Sequence, residues 1–313
     1  MLFKLLISLC LLLLLVWDRP DICGFDQTDV ADETDADKIL WSSLTYKANS
    51  FMGKVTTVVR LATLPAETAT ELLIDVPQGE VSQASNPDLV TITVHSDINP
   101  LIGSRLVLSS RAWYDSGYTQ VLQRERMRLG SNKWQKIYRF TDQGVFRLKI
   151  KPQDSKENKL SPEQWSQLRE AFYAYEYEGL SCATVIEPAG LLHLVSDPDF
   201  LLQKRPVSLC VFNKKQLHRV KVWVDGSRQL KVDYLKKLPN GQTRREEKSD
   251  VIKVSFQPRA MIPEDKTSEE FSFLELKGDF EIYVDKASRI PVQVSGKISP
   301  IGKVDIKLHE VVF

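Results

Sequence analysis

"EIYVDKASRIPVQVSGK", residues 281–297, alternates, turns and alternates again. Ile282 and Val284 line one arm; Ile290, Val292 and Val294 line the other. An apolar residue at every second position marks a half-buried strand, and two such runs around a short polar break make an antiparallel hairpin. Asp285 is placed to accept turn amide hydrogen bonds, with Ala287 and Ser288 filling the turn. Pro291 falls where no ladder N–H is required. Asp285 and Pro291 are therefore expected to shape the turn, without chemistry of their own.

The same period extends outward from this hairpin. From Trp41 the runs "SLTYKANSF" and "GKVTTVVRLA" flank a break at Met52-Gly53. "LVTITVHS", "SRLVLSSRAWY", "TQVLQRERMRL", "KWQKIYRF" and "VFRLKIK" follow, the last two joined by Thr141-Asp142-Gln143-Gly144. Later come "VSLCVF", "HRVKVWV", "RQLKVDYL", "DVIKVSFQ", "FSFLELKGDFEIYV" and "KVDIKLHEV", with turn signals at Asp225-Gly226 and Pro239-Asn240-Gly241. Two helices are expected. One starts at Ser161-Pro162, with Gln164 completing a capping box and Trp165, Leu168 and Phe172 on one face. The other starts near Pro188, runs through "AGLLHLV" and stops before Asp197-Pro198. No βαβ alternation occurs, which argues against a parallel sheet. The fold class is mainly β: one large curved antiparallel sheet, open or half-barrel, with two or three short helices on one face.

The chain has 313 residues and a net charge of +1, so no global field points to nucleic acid or an acidic partner. Lys4 precedes an apolar run, residues 5–16, that is shorter than the about 20 residues a spanning helix needs. Residues 1–24 read as an export signal, with an uncleaved anchor as the alternative. Residues 25–40 form an acidic flexible spacer, and 41–313 the β domain. The expected location is periplasmic or otherwise exported, at the inner membrane if the signal stays attached. In an oxidising compartment Cys182 and Cys210 are the natural disulfide pair, with two buried thiols as the alternative.

No residue pattern points to catalysis. Of the four histidines, His193 is expected in the core, and His218 and His309 in solvent among lysines. No metal spacing, nucleophile elbow or phosphate loop is present, so no catalytic residue, metal site or cofactor is assigned. Asp197 and Asp199 in "SDPDF" fit an Asx turn better than a calcium corner. Residues 214–248 carry eleven basic against four acidic side chains. Lys214, Lys215, Arg219, Lys221, Lys231, Lys236, Lys237, Arg244 and Arg245 could form a basic patch for anionic head groups or polymer, or simply a solvated hairpin face. Aromatics are not interleaved with these charges, so nucleic acid is not expected. The terminal row Phe313, Val311, His309, Lys307 and Asp305 is too charged to face lipid in an outer-membrane barrel.

At "SSLTYKANSFMGKV", "EPAGLLHLVSDPDFL", "KRPVSLCVFNKKQLHRVKVWVDG" and "GDFEIYVDKASRIPVQVSGKISPIGKVDIKLHEVVF" the chain resembles the domain of unknown function 3108 (DUF3108) family of bacterial exported proteins. The resemblance implies an exported β domain over 41–313 and brings no catalytic residues. The closing hairpin is also similar to that of the LolA/LolB/RseB-like periplasmic half-barrels, which implies a curved sheet around an apolar cavity closed by short helices. The leading expectation is a non-enzymatic envelope protein that binds a lipid or other amphiphile under a lid of Trp165, Leu168 and Phe172. The alternatives are an envelope scaffold that binds a protein or cell-wall polymer, and a polymer hydrolase. Peripheral contact with a membrane is compatible with the first two.

Overall fold

The computed structural model describes residues 41–50, 53–115, 120–175, 182, 184–261, 269–298 and 302–313. The export signal and acidic spacer expected over 1–40 lie outside the described residues. No helix among the described residues is long and apolar enough to cross a membrane.

The first half of the chain is an antiparallel meander. It contains β1 (Ser43–Ser50), β2 (Gly53–Pro65), α1 (Ala66–Thr70), β3 (Asp88–Pro100), β4 (Leu106–Asp115), β5 (Val121–Leu129), β6 (Trp134–Phe140), β7 (Gly144–Lys151) and β8 (Gln167–Ala174). The second half contains β9 (Val185–Ile186), α2 (Gly190–Leu194), α3 (Pro198–Leu201), β10 (Val207–Asn213), β11 (Gln216–Leu238), β12 (Gly241–Ala260), β13 (Ser272–Phe273), β14 (Leu276–Asp285), β15 (Pro291–Ile298) and β16 (Gly302–Val312). All belong to one sheet, ordered β8-β7-β6-β5-β4-β3-β2-β1-β16-β15-β14-β12-β11-β10-β9, with β13 paired to β14. Two short contacts are parallel: β9 on β10, and β11 on β16 at Leu235–Lys237 against Glu310–Val312. The second contact closes β11, β12, β14, β15 and β16 into a ring of strands, irregular rather than a uniform barrel.

The core sits between the two halves. Tyr114, Val121, Phe140 and Val145 from the first meander pack with Leu191, Leu192, Val195 and Phe212 in one apolar cluster that continues to Phe256 and Ile282. Phe212 lies edge-on to Tyr138 and Phe140, with ring centroids 5.9 and 5.8 Å apart. A smaller cluster of Ala69, Leu89, Trp113 and Leu122 seals the opposite face of the meander under α1.

Three local expectations are corrected. Asp225-Gly226 is not a turn. β11 runs straight through it, and a bulge between Val224 and Ser227 absorbs the extra residues. Gly226 takes φ +100°, which a bulge needs as much as a turn does. Asp225 is held within the sheet by Trp223, Ser255 and Lys253. Second, the helix expected from Ser161 is one 3₁₀ turn over Pro162–Gln164, and Ser161 makes no capping bond to the backbone. The chain then pairs with β7 as β8, because the open edge of β7 offers a full ladder of partners. Leu168 and Phe172, four apart, share a face in a strand as well as in a helix, so their spacing could not separate the two. Third, His218 is 2% exposed rather than solvated. The helix after Pro188 is present as α2, and Asp197 caps a further turn, α3, by accepting from Asp199 N and Phe200 N.

The closing hairpin is fixed by a buried acid. Asp285 accepts from the Ser288 amide at 2.8 Å and from the Ser249 hydroxyl, and pairs with Arg245 at 3.0 Å. Pro291 stands at a ladder irregularity opposite Val284, and its carbonyl accepts from the Tyr46 hydroxyl at 2.8 Å. Burial raises the Asp285 pKa, but hydrogen bonds from Ser249, Ser288 and Arg245 outweigh it, and the net shift is downward. The stabilisation is therefore complete above the unfolded carboxylate value near about 3.9 and is lost as pH falls through the folded value. Asp285→Ala is expected to lower unfolding free energy by about 3 kcal/mol, since it removes a fully buried carboxylate that accepts from the Ser288 amide, the Ser249 hydroxyl and Arg245. Urea unfolding between about pH 5 and 2 should show a shallower acid dependence in the variant than in wild type; parallel curves would contradict this account.

Candidate functional site

Strands β5 to β8 place basic residues on the face turned toward α2 and β10. Register defines two rows. In the first, Arg124, Tyr138 and Arg147 are direct cross-strand neighbours. In the second, Arg126 faces Lys136, Lys136 faces Lys149, and Lys149 faces Arg169. Four like charges thus stand directly opposite one another across four strands, an arrangement that destabilises a sheet.

The two rows differ in their partners. In row one Arg124 is neutralised and Arg147 is hydrogen-bonded. Glu187, fully buried just before α2, pairs with Arg124 at 3.1 Å. The same carboxylate accepts from the Tyr114 hydroxyl at 2.7 Å and the Ala189 amide at 2.8 Å. Arg147 donates to the Tyr173 hydroxyl at 2.7 Å. In row two, Arg126, Lys136, Lys149 and Arg169 make no ion pair among the described residues. Arg126 and Lys136 flank Trp134, at 5.8 and 4.4 Å from its ring centroid. Burial lowers the Lys136 pKa to about 8, and Arg126, Lys149, Arg147 and Lys215 push it the same way. Lys149 is lowered by burial and by Lys151, Arg147, Arg169 and Lys215. Arg126 is lowered by burial and then by Arg124, against weaker attraction from Glu275 and Glu187. The buried Nε atoms of Arg128 and Arg147 have no hydrogen-bond partner among the described residues.

Two hairpin turns form the facing wall. Lys214, in the β10–β11 turn, has φ 59°; Leu274 and Glu275, in the β13–β14 turn, have φ 47° and 68°. Such positions normally take glycine or asparagine, and each costs another residue about 1–2 kcal/mol. Asn213 stitches the turns together by donating to the Ser272 carbonyl at 2.8 Å and accepting from its amide. Backbone strain gathered on one rim is characteristic of binding sites. Between this rim and the strands lies a cleft of about 170 Å³, lined among others by Ser96, Ser110, Arg124, Arg126, Lys214 and Glu275. Val94, Leu108 and Phe273 add apolar wall. Under the rim, His218 contacts the Glu269 carbonyl at 3.1 Å and lies edge-on to Phe271; burial lowers its pKa.

The residues singled out from sequence are placed differently. Trp165 is buried beside the 3₁₀ turn, Leu168 is 59% exposed and Phe172 is half-buried on β8, so the three form no lid. The 214–248 segment is not one patch. Lys214 and Lys215 sit on the rim near Glu269, at 3.9 and 3.2 Å. Lys231 pairs with Glu246, Lys237 with Glu310, Arg244 with Asp233, and Arg245 with Glu247 and Asp285. Lys221 lies over Trp223, Arg219 is exposed and Lys236 half-buried on β11. Six of these nine basic residues meet local acids, and Arg219, Lys221 and Lys236 do not among the described residues. A disulfide joins Cys182 to Cys210, tying the segment before β9 to β10. No cluster of three or more potential metal ligands occurs among the described residues. The missed signal was basic residues at i, i+2 and i+4 in both "QRERMR" and "FRLKIK".

No family model matches the chain, and no curated protein matches it. Among solved structures it is similar to a β-barrel-like protein of a domain of unknown function, DUF1849, from Brucella abortus. The TM-score is 0.44 at 6% identity, over 88% of this chain and 98% of that one. A likeness at that level carries no functional inference.

Lys136 is expected to titrate near pH 8 in Nζ-resolved NMR. Arg126→Gln should move it part of the way toward the ordinary lysine value of about 10.4. An ordinary value in the wild type would contradict the crowding described.

Proposed function

We propose that this is an exported, non-enzymatic binding protein of the cell envelope whose inner cationic face takes the anionic head of an amphipathic ligand. The row Arg126–Lys136–Lys149–Arg169 carries the proposal. Like charges held opposite one another and partly buried are unfavourable until an anion neutralises them. A carboxylate, phosphate or sulfate accepts charge-assisted bonds from both arginine and lysine. Arg126 brings the row to the cleft, which has room for a compact head group, and Val94, Leu108 and Phe273 give an adjoining aliphatic segment somewhere to lie. A binder is favoured over an enzyme because the two buried acid–base candidates behind the cleft wall are held in place: Glu187 by Arg124 and Tyr114, and His218 by the Glu269 carbonyl. The Cys182–Cys210 bond supports export, since disulfides persist in oxidising compartments.

A scaffold function has one observation in its favour. β8 ends the sheet order and carries the exposed Leu168, so a partner strand could extend the sheet there.

Protein exported by its own signal and purified without detergent should carry a stoichiometric anionic amphiphile. Native mass spectrometry of the intact chain, beside mass spectrometry of a solvent extract, would show it. Lys136→Gln combined with Lys149→Gln should weaken the bound species by tenfold or more, on the order of 1.4 kcal/mol. A clean, empty mass that takes up no added fatty acid or phospholipid would contradict the binder and shift weight to crosslinked partners.

A further inference from the structure

We propose that the end of the sheet bearing the β3–β4 tip docks on an anionic lipid surface, with Leu101 and Ile102 entering the acyl boundary. In an antiparallel meander the β3–β4 turn, the β5–β6 turn and the β7–β8 connection lie at one end. Contacts confirm it here. A Cβ on Gly130, after β5, would approach the Arg105 carbonyl at 3.1 Å, and Lys133, before β6, donates to the Asn158 carbonyl at 2.6 Å. At this end Leu101 is 76% and Ile102 89% exposed. Two large aliphatic side chains, adjacent on a hairpin tip, are costly in water and stabilising in lipid.

The chemistry around the tip selects among partners. Lys54, opposite Asn99 next to the tip, is exposed, as are Arg105, Lys156 and Lys159. The acids at this end stay charged, but Asp97 is cancelled by Arg105, and Asp154, Glu157 and Glu163 are turned to local donors, so the free cations near the tip among the described residues are Lys54, Lys156 and Lys159. Asp97 takes both bonds of Arg105, Asp154 accepts the amides of Lys156 and Glu157, and Glu157 accepts those of Gln153 and Ser166. An apolar tip ringed by lysines matches an anionic bilayer, where each basic residue near the surface adds attraction and the aliphatic residues insert. Two residues on a narrow tip are too little for a stable protein interface, which needs about 1,200 Å² or more. The same end is where the inner strand faces change from apolar to cationic: Val121 to Arg126 along β5, Phe140 to Lys136 along β6, Val145 to Lys149 along β7. The docking surface stands on its own residues and does not depend on the cleft.

The test uses the full chain, so that the apolar 5–16 run is common to every sample. Vesicles of phosphatidylglycerol and phosphatidylethanolamine, carrying a photoactivatable acyl chain, are irradiated with the protein, and adducts are mapped by mass spectrometry. Adducts are expected on residues 100–103. They should fall roughly tenfold in Leu101→Ser combined with Ile102→Ser, fall with added salt, fall in pure phosphatidylcholine, and persist in Ile102→Trp. Circular dichroism should show the double variant folded, since both side chains are exposed. Adducts confined to the 5–16 run, or an undiminished signal at 100–103 in the serine variant, would overturn the proposal.

Discussion

One strand pairing holds the architecture together: β1 against β16, the first described strand against the last. It joins the eight-stranded meander to the ring formed by the second half. Residues 43–45 of the first strand and 310–312 of the last lie side by side, and Phe313 N reaches the Lys237 carbonyl at 3.2 Å. The side-chain period of a strand is two, so a slip of one residue here would send every inner residue of the meander outward. The register is pinned by Tyr46. It lies beside the irregularity in this pairing, is fully buried, and bonds the Pro291 carbonyl of the closing hairpin. Which face of β5 to β8 looks inward, and hence where the basic rows point, follows from that joint.

Given that face, the distribution of favourable and unfavourable terms becomes informative. Most of the inner face is apolar and packed on α2 and β10. One row of β5 to β8 is instead cationic with no ion-pair partners, and the turns facing the neighbouring cleft hold three non-glycine residues in left-handed backbone. Each departure costs stability alone. They meet at Arg126, the member of the row that lines the cleft, and we read the pair as a surface preorganised for something that arrives with negative charge. Arg124 shows the contrast. It is one step along the same strand face from Arg126, yet it has Glu187 and Ser110 as partners and ties α2 to the sheet.

Much of the fold was legible because alternation is a local signal. The closing hairpin, the strands of the first meander and the absence of βαβ units can all be read from short windows. What could not be read depended on neighbours distant in sequence. Leu168 and Phe172 fit a helix and a strand equally until β7 is seen to have an open edge. Asp225-Gly226 looks like a turn until β12 is seen running alongside it without a break. The candidate site was hidden for the same reason. Charge density along the chain peaks at 214–248, where six of the basic residues meet local acids. The row that matters contributes one residue per strand from Arg126, Lys136, Lys149 and Arg169, and only register brings them together.

The central claim is that the cationic row is retained at the expense of stability, for an anion. The most direct measurement is the unfolding free energy of lipid-stripped protein beside Lys136→Gln and Lys149→Gln. The lowered Lys136 pKa means that its cost is fully present below about pH 8 and is relieved as pH rises toward the unfolded lysine value. Each variant should therefore be more stable than wild type at neutral pH in low salt, by about 0.5–1 kcal/mol. The Lys136→Gln gain should shrink with added salt and disappear by about pH 10.4. Variants less stable than wild type at neutral pH would show that these lysines support the fold, and would contradict the account.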